Sequence, residues 1–211
     1  MEKNNSQVTV RYPRLILASA SPRRREILAG AGLAFEVMAA DIDERHMPGE
    51  SPEQMVSRLA AEKALVVRAS NKTPNDLPVL AADTVVVIGG AILGKPASAD
   101  EARAMLLRLS GVEHEVLTGV ALLFPATQHS SNSKLDVRVA STRVRFRTMS
   151  KEQIEDYINS GEPYDKAGGY GIQGLASKYV ERIEGCYFNV VGLPIALVCA
   201  MLEEHANTDR S

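Results

Sequence analysis

The chain has 211 residues, a length at which α/β proteins often form a single domain. Hydrophobic residues make up 45% and charged residues 24%, and this supply of apolar side chains excludes a wholly disordered chain. A net charge of −2 argues against a dedicated nucleic-acid binder, whose domain would be clearly basic. Two cysteines are too few for a disulfide framework, and the N-terminus lacks the apolar core of a signal peptide. We therefore expect a cytoplasmic protein that contacts neither membrane nor nucleic acid.

In the first half of the chain, strand and helix signals alternate. Ser21 before Pro22 predicts the start of a helix that ends near Gly32. Ser51 and Gln54 have the spacing of a capping box and predict a longer helix, with apolar residues at helical spacing. Before, between and after these helices, β-branched or apolar runs predict strands at residues 15–19, 34–40, 79–88 and 91–93. A glycine hairpin joins the last two.

The second half continues the alternation. Capped helices are predicted from Ser98 to Gly111 and from Ser150 to Gly161, and a closing helix over 192–205. Strands are predicted at 115–124 and 135–147, followed by a hairpin of 178–183 with 186–191. This order predicts an α/β fold with a mixed twisted sheet, because some neighbouring strands are linked by hairpins and others by helices. We expect one domain over 13–204, a loop insertion over 125–134 and polar tails over 1–12 and 205–211.

The segment Ser19-Ala20-Ser21-Pro22-Arg23-Arg24-Arg25 joins the first predicted strand to the first helix. A helix N-terminus presents unpaired N–H groups and the positive end of the helix dipole, which together suit an anion. Three arginines in the same turn oppose that dipole, so helix stability alone does not explain them. We interpret the segment as a phosphate-binding turn; the alternative is a solvated basic turn.

Two charged residues are predicted to lie on apolar faces. Lys63 follows Met55 and Leu59 at helical spacing, so its ammonium either extends to solvent or reaches a ligand. Asp83 interrupts a β-branched strand, where a carboxylate is costly unless it is paired, hydrogen-bonded or bound to a metal. We therefore predict that Asp83 belongs to a functional site.

Predicted loops carry the remaining polar groups. The acidic run 41–44, taken alone, is typical of an exposed loop, and Gly94-Lys95-Pro96 places a lysine in a tight turn before a capped helix. Residues 165–174 contain four glycines, which indicates positive φ or close backbone approach, and include Asp165, Lys166 and Gln173. Cations from several segments, with two sources of carboxylate, fit a polyanion held with a divalent cation. The residues alone thus predict phosphate-ester chemistry on a nucleotide-like ligand.

Six motifs together resemble the Maf family of nucleoside triphosphate pyrophosphatases. In order they are S-x-S-P-R-R at 19–24, Glu44, Lys63, A-D-T at 82–84, G-K-P at 94–96 and D-K-A-G-x-Y-G-I-Q-G at 165–174. The resemblance extends over roughly 13–204, and its first and last motifs are long and specific. It implies an inosine triphosphatase-like α/β fold with two lobes around a deep cleft, in a homodimer.

The resemblance also implies a reaction. A nucleoside triphosphate is cleaved between its α and β phosphorus atoms, giving the monophosphate and pyrophosphate, with Mg²⁺ or Mn²⁺ as cofactor. The last motif is similar to that of members acting on dTTP and UTP. Alternatives are methylated GTP or another non-standard nucleotide as substrate, or a non-catalytic regulator of septation that binds a nucleotide.

By the same resemblance, each motif residue has an expected role. Asp83 is the catalytic carboxylate, either as general base or as metal ligand, and Glu44 assists in metal binding. The triphosphate is held by hydroxyl and cationic groups at Ser21, Arg23, Arg24, Lys63 and Lys95. Specificity is assigned to Arg23, Thr84 and Gln173, while Asp165 and Lys166 complete the cleft.

The sequence departs from the family pattern at three places. Arg25 adds a third arginine, Gly169 stands where many members have alanine, and the loop over 125–134 is longer. Only Gly169 is expected to alter the fit of the pocket.

Overall fold

The computed structural model describes residues 12–126 and 133–208. Its strands are β1 (Leu15–Leu17), β2 (Phe35–Val37), β3 (Val79–Ile88), β4 (Ala91–Leu93), β5 (Glu113–Phe124), β6 (Lys134–Phe146) and β7 (Val180–Glu184). Its α-helices are α1 (Pro22–Gly30), α2 (Pro52–Arg68), α3 (Ala99–Leu109), α4 (Lys151–Asn159), α5 (Tyr187–Val191) and α6 (Ile195–Thr208). Three short 3₁₀ turns, Glu162–Asp165, Ala167–Gly169 and Leu175–Tyr179, connect α4 to β7.

One mixed sheet holds all seven of these strands, in the order β2-β1-β3-β5-β6-β7, with β4 paired to β3. β1 lies parallel to β2 and β3, while the pairs β3–β5, β5–β6 and β6–β7 are antiparallel. The predicted α/β class and mixed sheet are therefore confirmed. None of the helices over 12–126 and 133–208 has the length and apolarity of a bilayer span.

Local capping explains where most of the helices begin. The hydroxyl groups of Ser51 and Ser150 each accept a hydrogen bond from the backbone N–H of the glutamine three residues later. The side chain of that glutamine accepts a hydrogen bond from the backbone N–H of the serine, so both capping boxes form. Ser98 forms only half of the expected box, because the Glu101 carboxylate accepts from the Ala97 N–H instead. These contacts span three or four residues, which is why the sequence alone located them.

The segment after β7 contradicts the sequence prediction. Residues 186–191 were expected to pair with 178–183 as a hairpin, but β7 pairs with β6 and Tyr187–Val191 is helical. The side chain of Asn189, which is fully buried, donates to the Val116 carbonyl and the Thr142 hydroxyl, and these long-range bonds override the strand propensity. Gly192 is not helical, with φ 122°; α6 begins at Ile195 and continues to Thr208.

Predicted features also fall outside the described residues. The structure does not describe residues 127–132 of the loop over 125–134, residues 1–11 of the first tail or residues 209–211 of the second. Residues 205–208, predicted as part of the second tail, belong to α6 instead.

Two of the four apolar clusters among the described residues lie on either side of the cleft, and the other two pack α2 against the sheet. The first packs α1, α6 and β1 around residues such as Leu28, Leu80 and Leu193. The second packs α3, α4 and the 3₁₀ turns around residues such as Leu106 and Tyr157. These two lobes face each other across a cleft that β3 crosses.

A glycine brings the longest helix of the chain into contact with the sheet at the cleft. Gly119 of β5 pairs with Asp83 of β3, and a Cβ at Gly119 would lie 2.2 Å from the Val56 carbonyl oxygen of α2. Any side chain here would push α2 away. Lys63, two turns further along α2, consequently lies over β3 beside Asp83.

Candidate active site

A cleft of about 640 Å³ separates the two lobes. Every residue for which the sequence predicted a site role lines it: Ser21, Arg23, Arg24, Glu44, Lys63, Asp83, Thr84, Lys95, Asp165, Lys166 and Gln173. They come from α1, α2, β3, two loops and the glycine-rich turns, so only the fold brings them together. Their positions agree with the prediction, while their chemical roles are a separate question.

Three charged side chains, which we call the floor cluster, meet at the bottom of the cleft. Lys63 Nζ lies 2.6 Å from Asp83 Oδ1 and 2.6 Å from Glu44 Oε1. The side chains of Lys63 and Asp83 are 9% and 11% exposed, whereas that of Glu44 is 48% exposed. Lys63 therefore does not extend to solvent; its ammonium bridges two carboxylates from different parts of the chain.

The floor cluster favours the charged form of Glu44. Partial burial alone would raise the pKa of this carboxyl, but its hydrogen bond to Lys63 and the nearby charges of Lys63, Lys95 and Arg24 outweigh burial and lower the pKa below its usual value. Of the acidic run 41–44, only Glu44 takes part in the cluster, since Asp43 pairs with the exposed Arg45. The acidic run is therefore divided: Asp43 faces solvent, whereas Glu44 contacts Lys63 in the cleft.

Two carboxylates at the floor of the cleft point towards one position and could supply part of the ligand set of a divalent cation. Glu44 and Asp83 each place an oxygen 2.6 Å from the Lys63 nitrogen, which stands where such a cation would bind both. Within 12–126 and 133–208, no group of three or more His, Cys, Asp or Glu could hold a metal by itself. The donors fit Mg²⁺ or Mn²⁺, which use one or two carboxylates and take their remaining ligands from substrate phosphates.

The buried guanidinium of Arg24 joins several backbone and side-chain groups at the floor of the cleft by hydrogen bonds. Its Nε donates to the Gly192 carbonyl at 2.8 Å, and its Nη1 donates to the Ala82 carbonyl at 2.8 Å and to Ser19 Oγ at 3.2 Å. Its Nη2 donates to Thr84 Oγ1 at 3.2 Å. The cost of burying the guanidinium lowers the pKa of Arg24 below its ordinary value. Four of its five N–H groups are used within the protein, which leaves one for a phosphate.

A buried polar network, which the sequence did not predict, continues from Arg24 through Thr84. Thr84 Oγ1 lies 2.9 Å from Thr118 Oγ1, and Thr118 Oγ1 in turn donates to the Asn189 carbonyl at 3.4 Å. The Asn189 side chain binds Val116 and Thr142 on two neighbouring strands. The network positions α5 and the Gly192 carbonyl against Arg24. The only sign of this network in the sequence is an asparagine, Asn189, just before the apolar pair Val190-Val191.

A second group of charges, the rim cluster of Arg23, Asp165 and Lys166, bridges the lobes at the mouth of the cleft. Arg23 Nη1 donates to Asp165 Oδ2 at 3.2 Å, and Lys166 Nζ donates to Asp165 Oδ1 at 2.5 Å. Partial burial would raise the pKa of Asp165, but Lys166 and Arg23 outweigh it and hold the pKa below its usual range. Asp165 is 64% exposed, so solvent screens this cluster.

The glycine-rich turns owe their shape to Glu162. Its carboxylate accepts from the Tyr157 hydroxyl at 2.9 Å and from the Leu175 N–H at 2.8 Å. A Cβ at Gly174 would lie 2.2 Å from Glu162 Oε1, so a larger residue here would displace this carboxylate from its hydrogen bonds. Gln173, just before it, is exposed, which leaves its amide accessible from the cleft.

Tyr170 forms the inner wall of the same turns. Its hydroxyl lies 2.8 Å from His114 Nε2, and burial lowers the pKa of His114 to about 4. His114 is therefore neutral at pH 7, and both rings pack edge-to-face with Phe146. This contact supports the turns from below without adding charge to the cleft.

At the first helix, Ser21 occupies the predicted N-cap. Its Oγ accepts from the Arg24 N–H at 3.5 Å, and its own N–H donates to Ser19 Oγ at 3.2 Å. Pro22 has no N–H, and the N–H groups of Ser21, Arg24 and Arg25 are bonded within the protein. The Ser21 hydroxyl and the Arg23 N–H, from two residues that line the cleft, remain for the phosphate-binding interpretation. Lys95 is exposed at the opposite wall, in the turn after β4.

Comparison with known proteins gives the relationship. A protein named dTTP/UTP pyrophosphatase from Hahella chejuensis is 51% identical over 191 residues, covering 90% of this chain and 92% of that protein. One with the same name from Clostridioides difficile is 45% identical over 191 residues, covering 90% and 94%. The solved structure of a HAM1 protein from Coxiella burnetii is 16% identical, with a TM-score of 0.40, and covers 76% of this chain and 88% of that one. A family model described as Maf-like protein matches residues 14–205, and the chain therefore belongs to the Maf family.

Proposed function

We propose that this protein hydrolyses nucleoside triphosphates between the α and β phosphorus atoms, releasing the nucleoside monophosphate and pyrophosphate. The preferred substrates are dTTP and UTP, the substrates named for relatives at 45–52% identity. The observation that carries the proposal is the floor cluster, which holds the buried carboxylate of Asp83 in a cleft lined by five cationic and three acidic side chains. The excess of positive charge in such a cleft attracts a polyanion.

Asp83 is the proposed catalytic residue. It acts on the water that attacks the α phosphorus, either by accepting its proton or by holding a divalent cation that would polarise this water. In the free protein, Lys63 and the backbone of β3 hold this carboxylate at the floor of the cleft, where the substrate would enter.

The triphosphate is held by groups from both lobes. The Ser21 hydroxyl and the Arg23 N–H provide hydrogen bonds. The side chains of Arg23, Lys63 and Lys95 provide positive charge, whose attraction grows as negative charge develops at phosphorus. Arg24 contributes its one remaining N–H and positions Ser19 and Thr84. Its proposed part in phosphate binding is accordingly smaller than the motif alone implies.

The nucleobase is selected at the glycine-rich turns. Gln173 offers both a donor and an acceptor, which suits the O4 and N3–H edge of thymine or uracil. Thr84 and Arg23 shape the inner part of the pocket, and Asp165 and Lys166 keep Arg23 in place.

A divalent cation at Glu44 and Asp83 completes the proposed site. When bound, it would neutralise the phosphates and lower the pKa of a coordinated water. We further propose a cytoplasmic homodimer; light scattering of the purified protein tests the dimer, and fractionation of cells tests the location.

The test is pyrophosphate release from dTTP, UTP, CTP, the purine triphosphates and 7-methyl-GTP, with Mg²⁺, with Mn²⁺ and with chelator. We expect metal-dependent release from dTTP and UTP. Release from another base alone would overturn the specificity. A folded protein that binds nucleotide without releasing pyrophosphate would overturn the proposal and favour a regulatory binder.

The same assay tests the role of Asp83. Asp83→Asn keeps the size of the side chain but removes its charge, and we expect kcat to fall by on the order of 10²–10⁴-fold. Asp156→Asn, an exposed aspartate of α4 outside the cleft, is the matched control and should keep wild-type turnover. Thermal unfolding checks that both variants fold; unchanged turnover in folded Asp83→Asn contradicts the role.

A further inference from the structure

The floor cluster contains one ammonium and two carboxylates at a single point. Lys63 Nζ contacts Asp83 Oδ1 and Glu44 Oε1 at equal distances of 2.6 Å. These are the oxygens that we propose as metal ligands. The ammonium therefore already occupies the position that a divalent cation needs.

Both cations cannot occupy that position together. A divalent cation binds carboxylate oxygens at about 2.0–2.1 Å, closer than the ammonium stands, and two cations at such separations repel strongly. Lys63 must leave before the metal enters. Since its side chain is only 9% exposed, leaving would strand a nearly buried ammonium unless another anion receives it.

We propose that Lys63 is an exchangeable cation in this site. In the free protein it holds Glu44 and Asp83 together and keeps divalent cations out. When a triphosphate enters, Lys63 transfers its hydrogen bonds to phosphate oxygens and releases the two carboxylates to the metal. This inference rests on the proposed function, because the phosphates that receive Lys63 are those of the proposed substrate.

The rest of the cleft supports such an exchange. No third carboxylate or histidine within the described ranges could strengthen metal binding before the phosphates arrive. Lys95 and Arg24 also line this cleft, so the free protein is already rich in positive charge around the floor cluster. A nucleotide reverses this balance and makes the entry of a divalent cation favourable.

The exchange predicts that losing Lys63 improves metal binding in the free protein. Mn²⁺ binding without nucleotide is measured from the electron paramagnetic resonance signal of free Mn²⁺. We expect Lys63→Met to bind Mn²⁺ at least about tenfold more tightly than the wild type, which corresponds to about 1.4 kcal/mol. Mn²⁺ should also raise the Tm of Lys63→Met more than that of the wild type.

Two controls separate exchange from a general charge effect. Lys63→Arg keeps a cation at the floor and should bind Mn²⁺ as weakly as the wild type. Lys166→Met makes the same substitution in the rim cluster and should leave Mn²⁺ affinity unchanged. If Lys63→Met does not fold, Lys63→Gln removes the charge while keeping hydrogen-bond donors, and the same tenfold gain is expected.

Equal Mn²⁺ affinity in the wild type and the uncharged Lys63 variant would overturn the exchange, and so would an equal gain in Lys166→Met. Pyrophosphate release by the wild type is measured in parallel. Release without a gain in Mn²⁺ affinity would refute the exchange and leave the proposed function standing. A gain without release from any nucleotide would refute the proposed function alone.

Discussion

The floor and rim clusters use the same residue types in different surroundings. Each places a lysine against an aspartate and adds one further charged group, yet Asp83 is 11% exposed and Asp165 is 64% exposed. At the floor, charges interact at low dielectric and the fold fixes them; at the rim, water screens them. The comparison teaches that the proposed chemistry depends on the buried cluster, whereas the rim can adjust to the ligand.

The largest expected difference is in stability. Lys63→Met leaves two carboxylates facing each other, and we expect a loss of about 2–4 kcal/mol, somewhat below the usual cost of breaking a buried pair because Glu44 is half-exposed. Lys166→Met removes the ion pair with the exposed Asp165 and the hydrogen bond to the Glu162 carbonyl, and should cost about 1 kcal/mol. Urea unfolding at pH 7 with chelator measures both. Equal losses would remove the distinction between the clusters.

An intermediate effect concerns the backbone that carries the rim. Gly168 and Gly169 have φ of 67° and 69°, so alanine is strained by about 1 kcal/mol at either position. A Cβ at Gly168 would lie 2.9 Å from Val86 Cγ2, whereas one at Gly169 would lie 3.6 Å from Pro96 Cγ. We expect Gly168→Ala to cost about 2–3 kcal/mol and Gly169→Ala about 1 kcal/mol in unfolding free energy.

This pair of variants also bears on the family pattern. Alanine at 169, common among relatives by the resemblance, fits sterically and costs only strain. If thermal unfolding shows a larger loss of stability for Gly169→Ala than for Gly168→Ala, the packing of this turn against Val86 and Pro96 is wrong.

The smallest effect is on acid stability. The folded-state pKa values of Glu44 and Asp165 lie below the unfolded values of 4.5 and 3.8, so each carboxylate stabilises the protein above its unfolded pKa. That contribution is lost as pH falls through the folded pKa. We expect the stability gaps between wild type and Glu44→Gln or Asp165→Asn to be below about 1 kcal/mol at pH 7.

The dependence of these two stability differences on pH and salt distinguishes the floor cluster from the rim cluster. Both gaps should close as the pH falls below 4, and 1 M salt at pH 7 should reduce the Asp165→Asn gap more than the Glu44→Gln gap. Metal-free urea titrations at several pH values measure them. A gap for Glu44→Gln that widens in acid would contradict the direction of its pKa shift.

The sequence predicted local features well and long-range ones poorly. Serine caps such as Ser51 contact residues three positions away, so the sequence contains all the information that they need. The residues of the site were recognised by their resemblance to a family. The positions of α5 and Arg24 were not predictable, because Asn189 and Arg24 bind carbonyls of strands that are adjacent only after folding. Arg24 reads as one more phosphate-binding cation until its partners are known.

The four bonds of Arg24 also have a consequence for how a ligand is received. They join the ends of β1 and α5 to β3 through one planar group, so the lower half of the cleft has a single shape before anything binds. Conformational entropy there is lost during folding and not during association. Structures with and without a nucleotide should superimpose closely around Arg24, and should differ at the side chain of Lys63 and at the mouth, where the ion pair of Arg23 and Asp165 can open.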